Sequence, residues 1–265
     1  MEVKLDTGQL FLHFQPVVNL ESGLLGVEAL VRLRHPQRGV LLPASFRKAL
    51  DHPPMSRRIG CSVLDMALSQ TALWRRQGCH LRMAINISAC HLLDPQFRAD
   101  LHQALDRHPD VPPESLILEI TETAPMLDFE MARKILLTCE KLGMQISLDD
   151  FGTGNASLTW LQKLPAHILK IDQSFVRGIL GDSRDHAIVS GIVTSARLLG
   201  LETVAEGVDT GDQIQRLRAI GCHSMQGYAI ARPMPPDDIP AWVDFFEEQW
   251  LAEMNPLFSS RIAAS

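Results

Sequence analysis

Apolar residues along the chain gather into two alternating kinds of stretch. Eight short segments are dense in aliphatic and β-branched residues: Leu10–Asn19, Leu24–Val31, Leu81–Ile87, Ser115–Thr121, Met144–Asp149, Ala166–Asp172, Glu202–Glu206 and Ser224–Ile230. Several are continuous apolar runs, the pattern of strands buried on both faces. Between them lie stretches with helical periodicity. Ile59–Gln77 carries Val63, Met66, Ala67, Leu73 and Trp74 at mixed three- and four-residue spacing, and Gln96–Arg107, Glu130–Leu142, His186–Leu199 and Asp212–Ile220 read the same way. Gly78, Gly143, Gly200 and Gly221 each follow the last helical residues, where a left-handed cap favours glycine. Asp185, and either Asp209 or Thr210, are expected N-caps.

Eight strands with intervening helices in 265 residues predict an α/β fold, a (β/α)8 barrel of the TIM type. Only Leu20–Gly23 separates the first two strand segments, a hairpin spacing and not a crossover. The expected fold is therefore a modified barrel with one antiparallel strand, and a doubly wound open sheet is the competing architecture. The barrel is expected over residues 1–250, with 251–265 a C-terminal tail that frays.

The polar residues inside this pattern sit at strand ends. Glu28 ends the second strand, Asn86 the third, Glu119 and Glu122 the fourth, Asp149 and Asp150 the fifth, Lys170 and Asp172 the sixth, and Glu206 the seventh, while Gln226 lies on the eighth. In a barrel these positions converge on the carboxyl-terminal face, where barrel active sites form. One such residue alone reads as a solvated loop carboxylate. Seven successive strand ends, each with an acid, amide or lysine in apolar surroundings, are not explained by solubility. Crowded carboxylates repel, and buried ionised groups must be paired or must coordinate a metal. Carboxylate and amide oxygens are hard ligands that suit Mg²⁺, Mn²⁺ or Ca²⁺. Adjacent Asp149 and Asp150 are placed to serve two neighbouring ions, the arrangement used for in-line attack at phosphorus.

Composition narrows the classes. With 25 basic and 31 acidic residues the net charge is -6, which disfavours binding to duplex nucleic acid but not a small phosphorylated ligand held through metal ions. No apolar run approaches the ~18 residues of a membrane-spanning helix, so no direct membrane insertion is expected. Met1–Asp6 carries no secretory pattern. Five cysteines without a C-x-x-C pair predict reduced thiols and a cytoplasmic setting. The histidines are scattered, no G-x-S-x-G elbow occurs, and Asp149–Gly154 lacks the spacing of a nucleotide-binding glycine loop. Gly152 and Gly154 there suit a mobile loop at the cleft.

Glu28-Ala29-Leu30 within Gly26–Pro36 resembles the signature of EAL domains, the bacterial cyclic di-GMP phosphodiesterases. The resemblance extends in order through Phe14-Gln15-Pro16, Asn86-Ile87-Ser88, Glu119-Ile120-Thr121-Glu122, Asp149–Gly154, Lys170-Ile171-Asp172, Ala205–Val208, Gln226-Gly227-Tyr228 and Arg232-Pro233. It implies a modified TIM barrel and hydrolysis of cyclic di-GMP to linear pGpG with two divalent metal ions, Mg²⁺ or Mn²⁺. Carried over by residue, Glu28, Asn86, Glu119 and Asp149 hold the first metal; Asp149 and Asp150 serve the second, with Glu206 and Asp172 nearby. Lys170 sits against the attacking water or the phosphate, and Glu206 orients or deprotonates that water. Gln15, Arg32 and Gln226 are substrate-side positions, and Glu122 anchors the loop after Asp150. The resemblance also implies a homodimer and further sensory or signalling domains in a longer parent. A non-hydrolysing cyclic di-GMP receptor is the alternative, favoured wherever a metal acid is lost. The chain departs from the family at Leu33, at Asn155-Ala156 in the loop, and over Arg47–Arg58, none of which removes a metal ligand.

Overall fold

The computed structural model describes residues 10–19, 23–121, 127–151 and 158–249, with the backbone alone for residues 24–25 and 158–160. Strand β1 (Leu10–Asn19) pairs antiparallel with β2 (Gly23–His35) along its whole length, Leu10 against Leu33 and Asn19 against Gly23. From β2 the pairing runs parallel through β4 (Arg82–Ile87), β5 (Leu116–Thr121), β6 (Gln145–Phe151), β7 (Ile168–Ile171), β8 (Glu202–Ala205) and β9 (Ser224–Met225). β9 then pairs antiparallel with β1 and closes the circle. The expected barrel with one reversed strand is present, and closure excludes the open sheet. Helices on the outside connect the parallel strands, as the crossover rule requires.

Several boundaries differ from the sequence reading. Strand β3 (Gly39–Leu41), not expected, extends the sheet as a hairpin on β2. The eighth strand is two residues long, not seven. After Met225 the backbone leaves the ladder: the Gln226 carbonyl accepts from Val208 and the Gly227 carbonyl from Ala231. Gly227 permits this crossing, because a Cβ there would lie 2.2 Å from the Val208 backbone nitrogen and oxygen. The first long helix begins at Pro53, six residues before the periodic apolar face, since proline needs no N–H donor at a first turn. The helix Ser183–Leu198 is capped by Asp182, whose side chain accepts from the Arg184 amide, so Asp185 is not the cap. Thr210 and Gln213 form a reciprocal capping box, and all four expected glycine caps have positive φ. The tail 251–265 lies outside the described residues, and among the described residues no helix is long and apolar enough to cross a membrane.

Side chains alternate into and out of the barrel with period two, so residues two apart on one strand stack as interior layers. The middle layer includes Val17, Gly26, Ala84, Ile117, Ser147, Ile168, Val204 and Ser224, which pack into a mostly apolar floor. Below it, Arg82 donates to Gln145 at 2.5 Å and faces Glu202 at 3.5 Å. The larger core lies between the barrel and its helices, and Trp74 is its biggest fully buried side chain. Trp74 meets Phe14 edge-on at 4.8 Å and donates to the Pro236 carbonyl at 3.3 Å. Trp74→Ala is expected to cost ~3–5 kcal/mol, read from urea unfolding. A loss under about 1 kcal/mol contradicts this packing account.

Two helices are locked by an ion pair that sequence periodicity does not reveal. Arg57 donates twice to Asp100, at 2.7 and 2.8 Å, and buried His91 lies 3.4 Å from the same carboxylate. The bonds from Arg57 hold the Asp100 carboxyl below its ordinary value of 3.8 despite burial. A depressed carboxyl stabilises the fold above its unfolded value and loses that contribution as pH falls through the folded one. Asp100→Asn is therefore expected to flatten the loss of stability below about pH 4, seen in urea midpoints measured from pH 6 to pH 3. An unchanged acid limb would show that Asp100 contributes nothing to it.

Candidate functional site

One layer above the apolar floor, every barrel strand or its immediate end presents a polar side chain. These are Gln15 from β1, Glu28 from β2, Asn86 from β4, Glu119 from β5, Asp149 from β6, Lys170 from β7, and Glu206 and Gln226 just after β8 and β9. The register explains the convergence: Gln15 is directly opposite Glu28, and Asn86 is opposite Glu119. Glu206 follows Val204 by two residues and so points inward with it.

Lys170 occupies the centre. Its Nζ lies 2.7 Å from Glu206, 3.2 Å from Glu119, and 3.4 Å from both Glu28 and Asp149. Burial alone would drive the proton off Lys170, but the surrounding carboxylates, Asp149 first, hold its pKa well above the ordinary lysine value. The acids respond unequally. Burial would raise the Glu28 carboxyl, yet Lys170 and hydrogen bonds from Gln226 (2.7 Å) and Asn86 (2.6 Å) keep it below its usual value. Burial, reinforced by neighbouring acids, pushes Glu119 well up and Glu206 to about 8. Glu119 and Glu206 are thus avid for a proton or another cation.

Asp149 and Asp150 stand at a break in the β6–β7 register between Leu148 and Phe151. Asp150 has φ 56°, the one positive value outside glycine among the described residues, and donates its amide to Asp149 Oδ1 at 3.0 Å. The bulge takes Asp150 out of strand alternation and turns it to the same side as Asp149. Carboxylate oxygens of Asp149, Asp150 and Glu206 all lie within 4.8 Å of one another.

The cleft above the layer reaches from Gln15 and Glu28 to Glu206 and Gln226. Gln15 donates to the Ala231 carbonyl and accepts from Gln226, whose own Oε1 is buried without a hydrogen-bond partner. Arg32 is buried, donates to the Val31 carbonyl, and is held below its ordinary pKa by desolvation. Asp172 is placed apart from the cluster's ion pairs: its carboxylate caps the helix Gln173–Gly178 by accepting from Ser174. Glu122, Gly152, Gly154, Asn155 and Ala156 lie outside the described residues.

Some cleft residues escaped the sequence reading. Gln173 and Arg177, four apart on one helix and bonded at 2.7 Å, line the cleft with Asp209. Tyr228, the chain's single tyrosine, lies half exposed beneath the Arg232 guanidinium at 4.1 Å. Its position directly after Gln226-Gly227 was the available signal. Cys61, His91 and Asp100 also converge, but Asp100 is engaged by Arg57 and burial pushes the Cys61 thiol up to about 11, so this group reads as structural.

The donor set fits hard divalent cations. Every candidate ligand offers oxygen, the cluster carries excess negative charge, and two of its buried acids have raised proton affinity.

A family model described as the EAL domain matches residues 1–233. The bifunctional diguanylate cyclase/cyclic di-GMP phosphodiesterase MucR of Pseudomonas aeruginosa is 42% identical over 241 residues, covering 90% of this chain and 35% of that protein. The cyclic di-GMP phosphodiesterase PdeR of Escherichia coli is 34% identical over 239 residues, covering 90% and 36%. The chain thus spans about a third of the length of these relatives. Among solved structures, the Pseudomonas aeruginosa MucR phosphodiesterase in complex with c-di-GMP superposes with a TM-score of 0.83 at 42% identity, over 89% of this chain and 96% of that one. The FimX EAL domain from the same organism bound to c-di-GMP gives 0.78 at 25% identity, over 86% and 92%. A barrel closed by one reversed strand, a ring of strand-end acids around a buried lysine, and a family match across nearly the whole chain place this protein in the EAL domain family.

Proposed function

We propose that this EAL domain hydrolyses cyclic di-GMP to linear pGpG with two divalent cations, Mg²⁺ or Mn²⁺. The observation that carries the reading is the complete acidic ring, Glu28, Glu119, Asp149, Asp150 and Glu206, gathered about Lys170 at the floor of a cleft. Relatives and structural neighbours named for cyclic di-GMP supply the substrate.

Glu28, Asn86, Glu119 and Asp149 would hold one ion, and Asp149 with Asp150 the other. Bound ions neutralise the phosphodiester and make hydroxide available at neutral pH. The protein's own groups do the rest. Lys170 adds positive charge where negative charge accumulates on phosphorus oxygens. Glu206 would orient or deprotonate the attacking water. Arg32 pairs with a phosphate oxygen, while Gln15 and Gln226 hold the substrate, the open Gln226 acceptor taking a ligand donor. Asp172 shapes the rim by fixing the start of the helix that carries Gln173 and Arg177. Under this reading Glu122 would anchor the loop after Asp150. The reading includes a homodimer and a longer parent that supplies sensory or signalling domains, and five free cysteines support a cytoplasmic, reducing setting.

The test is incubation of purified protein with cyclic di-GMP and Mn²⁺, followed by chromatography. Linear dinucleotide is the expected product. Binding of cyclic di-GMP with no product would replace hydrolysis by the receptor alternative.

A further inference from the structure

We infer that Lys170 is the resident cation of this site: with no divalent ion bound, its ammonium holds the strand-end carboxylates together, so the site folds without metal and metal ions bind in competition with it. The competition rests on the metal-dependent reading above; the structural role of Lys170 does not.

Three observations converge. The Nζ lies within 3.4 Å of carboxylates from four separate places in the barrel, on β2, β5, β6 and just after β8. No second lysine or arginine is ion-paired to any of these acids among the described residues. The ammonium also cannot be exchanged for water by a change of rotamer. Lys170 is 1% exposed, and its stem rests on the floor formed by Val17, Ala84, Ile117, Ile168 and Val204. A buried charge confined in this way is tolerated only with its partners in place, and the acids in turn are stabilised by it. Removing the lysine leaves Glu28 and Glu119, both buried, without their ion-pair partner. A divalent ion is drawn to the same oxygens and meets the lysine already there. Mg²⁺–oxygen bonds of about 2.0–2.1 Å are shorter than the 2.7–3.4 Å contacts of Lys170, so those oxygens would have to draw in.

Lys170→Met keeps the stem and removes the charge. In chelator, its melting temperature is expected to fall by roughly 10 °C relative to wild type. Millimolar Mn²⁺ is expected to restore most of that loss while moving wild type by only a few degrees. The double variant Lys170→Met with Glu119→Gln, which removes one unpaired buried acid, is expected to recover at least half the loss in chelator. If the single variant does not fold in chelator, refolding from urea with Mn²⁺, or folding of the double variant, supports the inference in the same way. A single variant melting within about 2 °C of wild type overturns it, as does an equal loss in the double variant or failure of both variants to fold. Calorimetric titration with Mn²⁺ separates the two claims. If neither wild type nor variant binds the ion, the metal-dependent reading fails, while the loss in chelator and its reversal in the double variant still establish Lys170 as the internal cation. If the variant binds Mn²⁺ without regaining stability, the competition is refuted.

Discussion

Glu28→Ala and Asp149→Ala are each expected to reduce cyclic di-GMP turnover at saturating substrate by at least about a thousandfold. Loss of about 4 kcal/mol of transition-state stabilisation is enough for that factor, and a misplaced divalent ion removes that much. Glu28 is the most heavily engaged acid of the ring. Asn86, Gln226 and Lys170 all aim at it, so its two oxygens are held in place before any ligand arrives. Asp149 faces Lys170 and also belongs to the close group with Asp150 and Glu206. Its loss therefore disturbs both proposed ions. Neither substitution should unfold the barrel, because three carboxylates still surround Lys170. Turnover in either variant within tenfold of wild type, with linear product formed, would remove that residue from the proposed set.

The second large effect is chelation. Excess chelator is expected to bring hydrolysis to background and Mn²⁺ to restore it, with far-UV circular dichroism and the cooperative melt retained throughout. The fold does not depend on a metal, since one continuous apolar core runs from Leu10 to Val243 between barrel and helices. The chemistry has no other source of comparable charge. The cluster offers one lysine against four acids, and the phosphodiester brings further negative charge. Undiminished hydrolysis in chelator would defeat the metal-dependent mechanism while leaving the fold assignment untouched.

The site was legible in the sequence because strand periodicity and chemistry coincide there. Ala84, Asn86 and Ile117, Glu119 show the rule: each polar residue lies two positions past an apolar one that faces the same interior. The same step from Ile168 to Lys170 and from Val204 to Glu206 put both side chains in the ring without knowledge of the fold. What stayed hidden depends on breaks in that periodicity or on distant partners. Two adjacent aspartates on a regular strand would point to opposite faces, and only the left-handed turn at Asp150 brings both to one side. Asp172 has the right parity and chemistry, and one oxygen of its carboxylate also caps a helix start, which the strand pattern does not show. Ser224–Ile230 reads as a strand by composition, yet past the Gln226 amide, which reaches Ala205, the chain bonds to Val208 and turns back on itself at Gly227. The choice of Asp182 over Asp185 as cap depends on where the chain leaves extended backbone, which residue type does not encode. Arg57, His91 and Asp100 belong to different elements, and no local pattern relates them.

The seam that closes the barrel has a kinetic consequence. β9 meets β1 through Val18–Met225 and Asn19–Ser224 alone, supported by the isolated Phe14–Met234 bridge, while β4, β5 and β6 share five paired positions at each junction. Local opening follows the thinnest pairing, and β9 has only two paired positions on either side, so amides of residues 224–225 should exchange with solvent by brief parting there, well before those of β5. Gln226 travels with that motion, and its bonds to Gln15 and Glu28 are the side-chain latches across it. A cyclic dinucleotide bound at Gln15, Glu28 and Gln226 would span the parting line and slow exchange there, making this thinly paired joint of the barrel a reporter of occupancy.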